Sequence, residues 1–184
     1  MKAEEIEDYP SQLGQELVNV GIEEPIHILM IGGAYMLLIA NAPRSTDDVD
    51  FFWLEEDDRT LEQGIYALRD AVRTVADRNE LEIDWFNYMT HLLMYDQVVV
   101  PKGKLWKRFG SLCVRVPSRE YILALKIIAG RDKDIEDSKI LLQQAKIKTR
   151  QQAQQLLDRY IPPLTQQINA EGIERSLKSL FEQV

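Results

Sequence analysis

Two periodicities divide the chain. Up to Pro117, short apolar runs alternate with stretches of helical spacing; beyond it only helical spacing remains. Ser11 is placed to cap a helix over "SQLGQELVNVG" that Gly21 closes. "IHILMI", after Pro25, predicts a buried strand. Gly32-Gly33 then turns the chain into a short helix, "AYMLLIANA", which ends before Pro43. "DVDFFWL" predicts the next strand, "TLEQGIYALRDAVRTVADR" a helix capped by Thr60, and "LEIDWFN" a third strand. "QVVV" and "SLCVRV" predict further strands. Ser118 caps "REYILALKIIAGR", a second helix follows in "DIEDSKILLQQA", Thr149 opens a third, and Pro162-Pro163 starts the last segments. Strands alternating with helices predict a sheet covered by helices. The expected class is α+β: a small mixed β-sheet core with helices over residues 1–117, and a helical region packed on it over 118–184.

Composition narrows the setting. The 184 residues are 45% hydrophobic and 28% charged, the balance of a globular protein. The lone cysteine, Cys113, lies in the apolar alternation "SLCVRV", so it reads as a buried thiol, and it leaves no internal disulfide framework. The acidic start "MKAEEIEDYP" shows no secretory signal, and the longest apolar stretch is interrupted by His27 and the glycine pair, too short for a membrane span. These features predict a cytoplasmic protein without membrane contact. A net charge of −8 argues against a general grip on nucleic-acid backbone. One basic segment, "PKGKLWKRFG", interleaves Lys102, Lys104, Lys107 and Arg108 with Trp106 and Phe109; it reads either as a solvated hairpin or as a grip for single-stranded RNA.

The candidate chemistry is acidic. Three aspartates, Asp47, Asp48 and Asp50, fall within four positions just before an apolar strand. On a strand, Asp48 and Asp50 point to the same face, about 6.6 Å apart. At an effective dielectric near 20 they repel by about 2.5 kcal/mol. Asp84, inside "LEIDWFN", adds a third carboxylate if its strand lies alongside. Divalent cations relieve such a patch, and Mg²⁺ binds through a few carboxylates plus substrate phosphates. At Gly32-Gly33, bare backbone N–H groups can approach a phosphate. Each part alone has an ordinary structural explanation, as a helix start, a turn or a cap. An EF-hand would need a loop spacing and a terminal Glu that are not evident.

In this order the parts resemble the nucleotidyltransferase superfamily, with its DNA polymerase beta-like fold. The segment "GGAYMLLIANAPRSTDDVDFF" is most similar to the branch that includes the AbiEii-type toxins of toxin–antitoxin systems, through Gly32-Gly33, Arg44, Thr46, Asp48 and Asp50. Downstream, "LALKIIAGRDKDIEDSKILL" matches the same branch with Lys126, Arg131, Asp134 and Asp137. The resemblance implies a nucleotidyltransferase core that uses Mg²⁺ and takes a nucleoside triphosphate as substrate. Asp48, Asp50 and Asp84 would hold metal, with Asp84 completing the cluster or acting as base. Gly32, Gly33, Arg44, Thr46 and Arg131 would hold the nucleotide. Asp134 or Asp137 would position it or activate the acceptor hydroxyl. The acceptor would be an RNA 3′ end, a protein side chain or a small molecule, and an antitoxin protein is an implied partner.

Lys126 carries weight of its own. It is the only charge in "YILALKIIAG", with Ile122, Leu123, Ala129 and Gly130 on the same helical side. Either its stem packs while its ammonium reaches water, or the ammonium points at triphosphate oxygens. Asp134 and Asp137 share a face at i, i+3, and helix-start charges are also favoured by the dipole. The alternative function is a non-catalytic nucleotide- or partner-binding module of the same fold, such as an antitoxin-like regulator.

Overall fold

The computed structural model describes residues 3–54 and 58–182. The chain forms α1 (Ala3–Asn19), β1 (Ile26–Met30), α2 (Gly32–Leu38), β2 (Val49–Trp53), α3 (Asp58–Asn79), β3 (Phe86–Asn87), α4 (Met89–Met94), β4 (Lys104–Phe109) and β5 (Leu112–Val116). The helices α5 (Arg119–Ala129), α6 (Asp132–Ala145), α7 (Arg150–Tyr160), α8 (Pro163–Ile168) and α9 (Ala170–Phe181) follow. Among the described residues the strands form one mixed sheet in the order β3-β2-β1-β5-β4. β1 runs antiparallel to β2 and parallel to β5, β2 runs parallel to β3, and β4 and β5 form an antiparallel hairpin. The α+β class expected from the alternation is therefore observed. No described helix is long and apolar enough to cross a membrane.

Two-residue alternation sorts the strand side chains between the two faces of the sheet. Ile26, Ile28 and Met30 of β1, Val49, Phe51 and Trp53 of β2, and Leu112 and Val114 of β5 enter one apolar cluster with α1 and α3. Leu29 and Phe52 enter the other, which continues into α5, α6, α7 and α9. The helical region is thus packed directly on the sheet. Asp48 and Asp50 share the parity of Phe52, so they lie on the face that α5 covers.

Several elements differ from expectation. α1 begins at Ala3, so Ser11 is interior to a helix and not its cap. The buried stripe Ile6, Leu13 and Leu17 runs on through Pro10, and its burial offsets part of the cost of the proline ring. α3 begins two residues ahead of Thr60, whose side chain lies outside those described. "QVVV" forms no strand; Tyr95–Gln97 is a 3₁₀ turn, and Val99 donates its N–H to the Tyr160 carbonyl. "LEIDWFN" contributes only Phe86–Asn87 to the sheet. Trp85 is the cause. Its indole is buried and donates to the Val72 carbonyl on α3, while its backbone N–H closes a turn on Glu82. Anchoring that ring bends residues 82–85 into a turn.

α5 is set as expected. The Ser118 side chain accepts from the Tyr121 N–H, and Gly130, at φ 59°, closes the helix in the left-handed region. Thr149 forms a capping box with Gln152. Ser118→Ala should cost about 1 kcal/mol of stability, read in urea unfolding, because it frees the first N–H groups of the helix that spans both core and cleft.

Candidate functional site

β2 and α5 meet at a cavity of about 490 Å³ whose walls include Gly32, Gly33, Asp48, Asp50, Lys126 and Arg131. The two glycines are there for close approach. Gly32 has φ +64°, and a Cβ on it would overlap the Asp50 carboxylate; a Cβ on Gly33 would overlap the Thr46 hydroxyl. The glycine turn and the aspartate strand are therefore complementary surfaces, which explains why the two motifs occur together.

The carboxylates are held from one side. The Thr46 hydroxyl lies 3.1 Å from Oδ1 of Asp48. Oδ1 of Asp50 accepts from Asn87 Nδ2 and from Thr90 Oγ1, both at 3.1 Å. Burial, and next the charge of Asp48, raise the Asp50 carboxyl above its ordinary value; the Thr90 hydrogen bond and the charges of Lys126 and Arg131 oppose this. A raised value means that the ionised form is disfavoured in the fold. Stability contributed by the protonated form is lost as pH rises through the folded pKa, so at neutral pH the Asp50 charge strains the metal-free protein.

A buried charge network faces this pair. Lys126 Nζ lies 2.8 Å from Asp134 Oδ1 and 2.9 Å from Asp137 Oδ2, and its side chain is 8% exposed. Arg44, from the segment before β2, reaches across 93 residues of sequence to Asp137 at 2.6 Å. Arg131 binds Asp134 through Nε at 2.5 Å and NH2 at 3.2 Å. Burial pushes the Asp134 carboxyl up, but the hydrogen bonds and charges of Arg131 and Lys126 outweigh it and hold the group below the ordinary value. Arg131 is raised, chiefly by its hydrogen bond to Asp134. Asp134 is thus a fixed counter-ion and a poor proton acceptor.

The sequence-derived residues divide accordingly. Gly32, Gly33, Arg44, Thr46, Asp48, Asp50, Lys126, Arg131 and Asp134 all line the cavity. Asp137 stands behind it, bridging Arg44 and Lys126. Asp84 is a correction. It occupies the turn before β3, is exposed, and lines a separate, largely apolar cavity beside α3 and α4. The position opposite Asp50 in the β2–β3 register belongs to Asn87. Asn87 and Thr90 were missed. The end of the "LEIDWFN" run could have pointed to Asn87 had the strand been placed three residues later; nothing local marks Thr90.

The donor set suits a hard cation. Two half-buried carboxylates line one cavity, Asp50 where Gly32 withholds its Cβ, and their Oδ2 atoms accept no hydrogen bond among the described residues. No described group joins three or more His, Cys, Asp or Glu in metal-binding geometry. That set fits Mg²⁺ with a shell completed by phosphate and water, rather than an all-protein cage.

No protein-family model matches the chain, and neither the curated proteins nor the solved structures contain a significant match to it.

Two substitutions separate the halves of the site. Asp50→Asn should leave the metal-free protein as stable as the parent or more so, since the amide can still accept from Asn87 and Thr90. Asp134→Asn should cost about 3–5 kcal/mol at pH 7, because it leaves Lys126 and Arg131 under-compensated. Asp134 is lowered, so its contribution is present above the unfolded value near 3.9 and fades as pH falls through its own lower value. Urea unfolding across pH 7 to 3 should show the gap closing with acid.

Proposed function

We propose that this protein is a Mg²⁺-dependent nucleotidyltransferase that moves a nucleoside monophosphate from a nucleoside triphosphate to an acceptor hydroxyl. One observation carries the reading: a single cavity is lined by the glycine turn, the Asp48–Asp50 pair and the cations Lys126 and Arg131, drawn from segments about a hundred residues apart. Carboxylates and cations lining one cavity are the two requirements of a metal-complexed triphosphate.

Asp48 and Asp50 would hold the cation. Mg²⁺, when bound, neutralises charge on the phosphates and on the leaving pyrophosphate. The Gly32-Gly33 backbone admits the phosphates close to the strand end, at a helix start with no side-chain cap. Arg131, whose side chain is 61% exposed, and Lys126 offer positive charge to the triphosphate oxygens. Asp134 and Asp137 keep those cations in place before the substrate arrives, so little reorganisation is needed. The acceptor oxygen attacks the α-phosphorus, the bond from that phosphorus to the bridging oxygen breaks, and pyrophosphate leaves with release of the hydroxyl proton. The acceptor is an RNA 3′ end or a protein side chain; a toxin role with an antitoxin partner follows from the AbiEii-like resemblance.

Isothermal titration of the full chain with Mg²⁺ and each triphosphate should show metal-dependent binding. Incubation with labelled triphosphates and total cell extract should place label in RNA or in protein. Asp50→Asn should lower transfer by about a thousandfold or more, the several kcal/mol that a lost metal site is worth. Binding without transfer of label would favour a non-catalytic nucleotide-binding module; no binding at all would overturn the transferase reading and favour a partner-binding module.

A further inference from the structure

Resting on the nucleotidyltransferase reading, we infer that Asn87 and Thr90 are positioning residues that commit the site to a single cation, held by Asp48 and by Oδ2 of Asp50. β3 runs parallel to β2, and Asn87 is the register partner of Asp50. A carboxylate at 87 would face Asp50 directly and could share a second cation with it. An amide stands there instead.

Its orientation is determined by its other end. Asn87 Oδ1 accepts the Met89 N–H at 2.9 Å, at the start of α4, so Nδ2 is turned toward Asp50. Thr90, one residue into the same helix, donates to the same Oδ1 of Asp50. α4 is itself tied to β2, because His91 Nδ1 accepts the Trp53 N–H at 3.1 Å. Two donors anchored on a fixed helix therefore occupy Oδ1 and turn Oδ2 toward the glycine bend. A site for paired cations about 4 Å apart needs carboxylate oxygens that bridge or a further acidic ligand. Here one oxygen of Asp50 is already taken. Of the other acids, Asp84 faces another cavity, and Asp134, which lines this one, has both oxygens taken by Lys126 and Arg131.

The device has an electrostatic reason. Asp50 is half-buried and lines the same cavity as Asp48. A third negative charge on β3 would add to theirs in the metal-free protein, whereas an amide and a hydroxyl stabilise the ionised carboxylate without adding charge. Lys126 and Arg131 line the same cavity and supply positive charge to it. The cations available to the phosphates are thus one divalent ion and the basic side chains that line the cavity, Arg44, Lys126, Arg131 and Lys133.

Mn²⁺ serves as the probe, titrated with electron paramagnetic resonance detection into the full chain together with a non-hydrolysable triphosphate analogue. The wild-type protein should bind a single Mn²⁺. Asn87→Asp keeps the acceptor for Met89 but replaces the donor that faces Asp50. It should lower the metal-free melting temperature, bind a second Mn²⁺, and regain thermal stability when Mn²⁺ is added. Thr90→Val should weaken Mn²⁺ binding by about tenfold to a hundredfold, as loss of an orienting partner does elsewhere. A merely structural threonine would shift melting and leave Mn²⁺ affinity unchanged. Two Mn²⁺ on the wild type, or unchanged affinity in Thr90→Val together with unchanged stoichiometry in Asn87→Asp, overturns this inference while the transferase reading stands. No Mn²⁺ on the wild type with the analogue present overturns both.

Discussion

The ion-paired ammonium of Lys126 is the interaction on which the arrangement of the cleft depends. A lysine this deep is unfavourable unless its charge is matched, and Asp134 and Asp137 match it from the next helix. That requirement locks α5 against α6 and sets the position of the start of α6. Because Asp137 also takes Arg44, the segment leading into β2 is held by the same network. The aspartate strand and the cationic helix are therefore registered to each other through charge as well as through the apolar cluster around Phe52 and Tyr121. Removing one partner would leave buried charge under-compensated, which is why the network acts as a unit.

The two carboxylate pairs in this region illustrate how environment divides chemically identical groups. Asp134 is surrounded by donors and cations and is held ionised. Asp50 is buried beside another carboxylate and is pushed the other way, with Thr90 only partly compensating. The first pair belongs to the protein's own stability. In the second, the charge on Asp50 is only partly offset by Thr90, Lys126 and Arg131. Asp50 and Asp134 border one cavity, and the difference follows from which strand and which helix supplies each residue.

Much of this was legible beforehand. The alternation in "DVDFFWL" puts Asp48 and Asp50 on one face with Phe52, whatever the rest of the chain does, because the side-chain period of a strand is two. The caps at Ser118 and Thr149 are local hydrogen-bond chemistry and were found where their residue types stand. The α+β class follows from the alternation of short apolar runs with helical spacing. The isolated lysine in "YILALKIIAG" signalled a charge that needs a partner.

The tertiary structure decided the rest. Where β3 starts is set by Trp85 docking on α3, a long-range packing event, so Asp84 falls on a turn and Asn87 arrives beside Asp50. Thr90 enters the site because α4 is pinned to β2 through His91, and Arg44 meets Asp137 only once α6 lies against the segment before β2. By itself the sequence determined which residues carry charge, which face of a strand they share and where helices are capped, since those are properties of neighbours along the chain. Which residues meet across the cavity was decided by packing of large side chains and matching of buried charges between elements, and these depend on the whole fold at once.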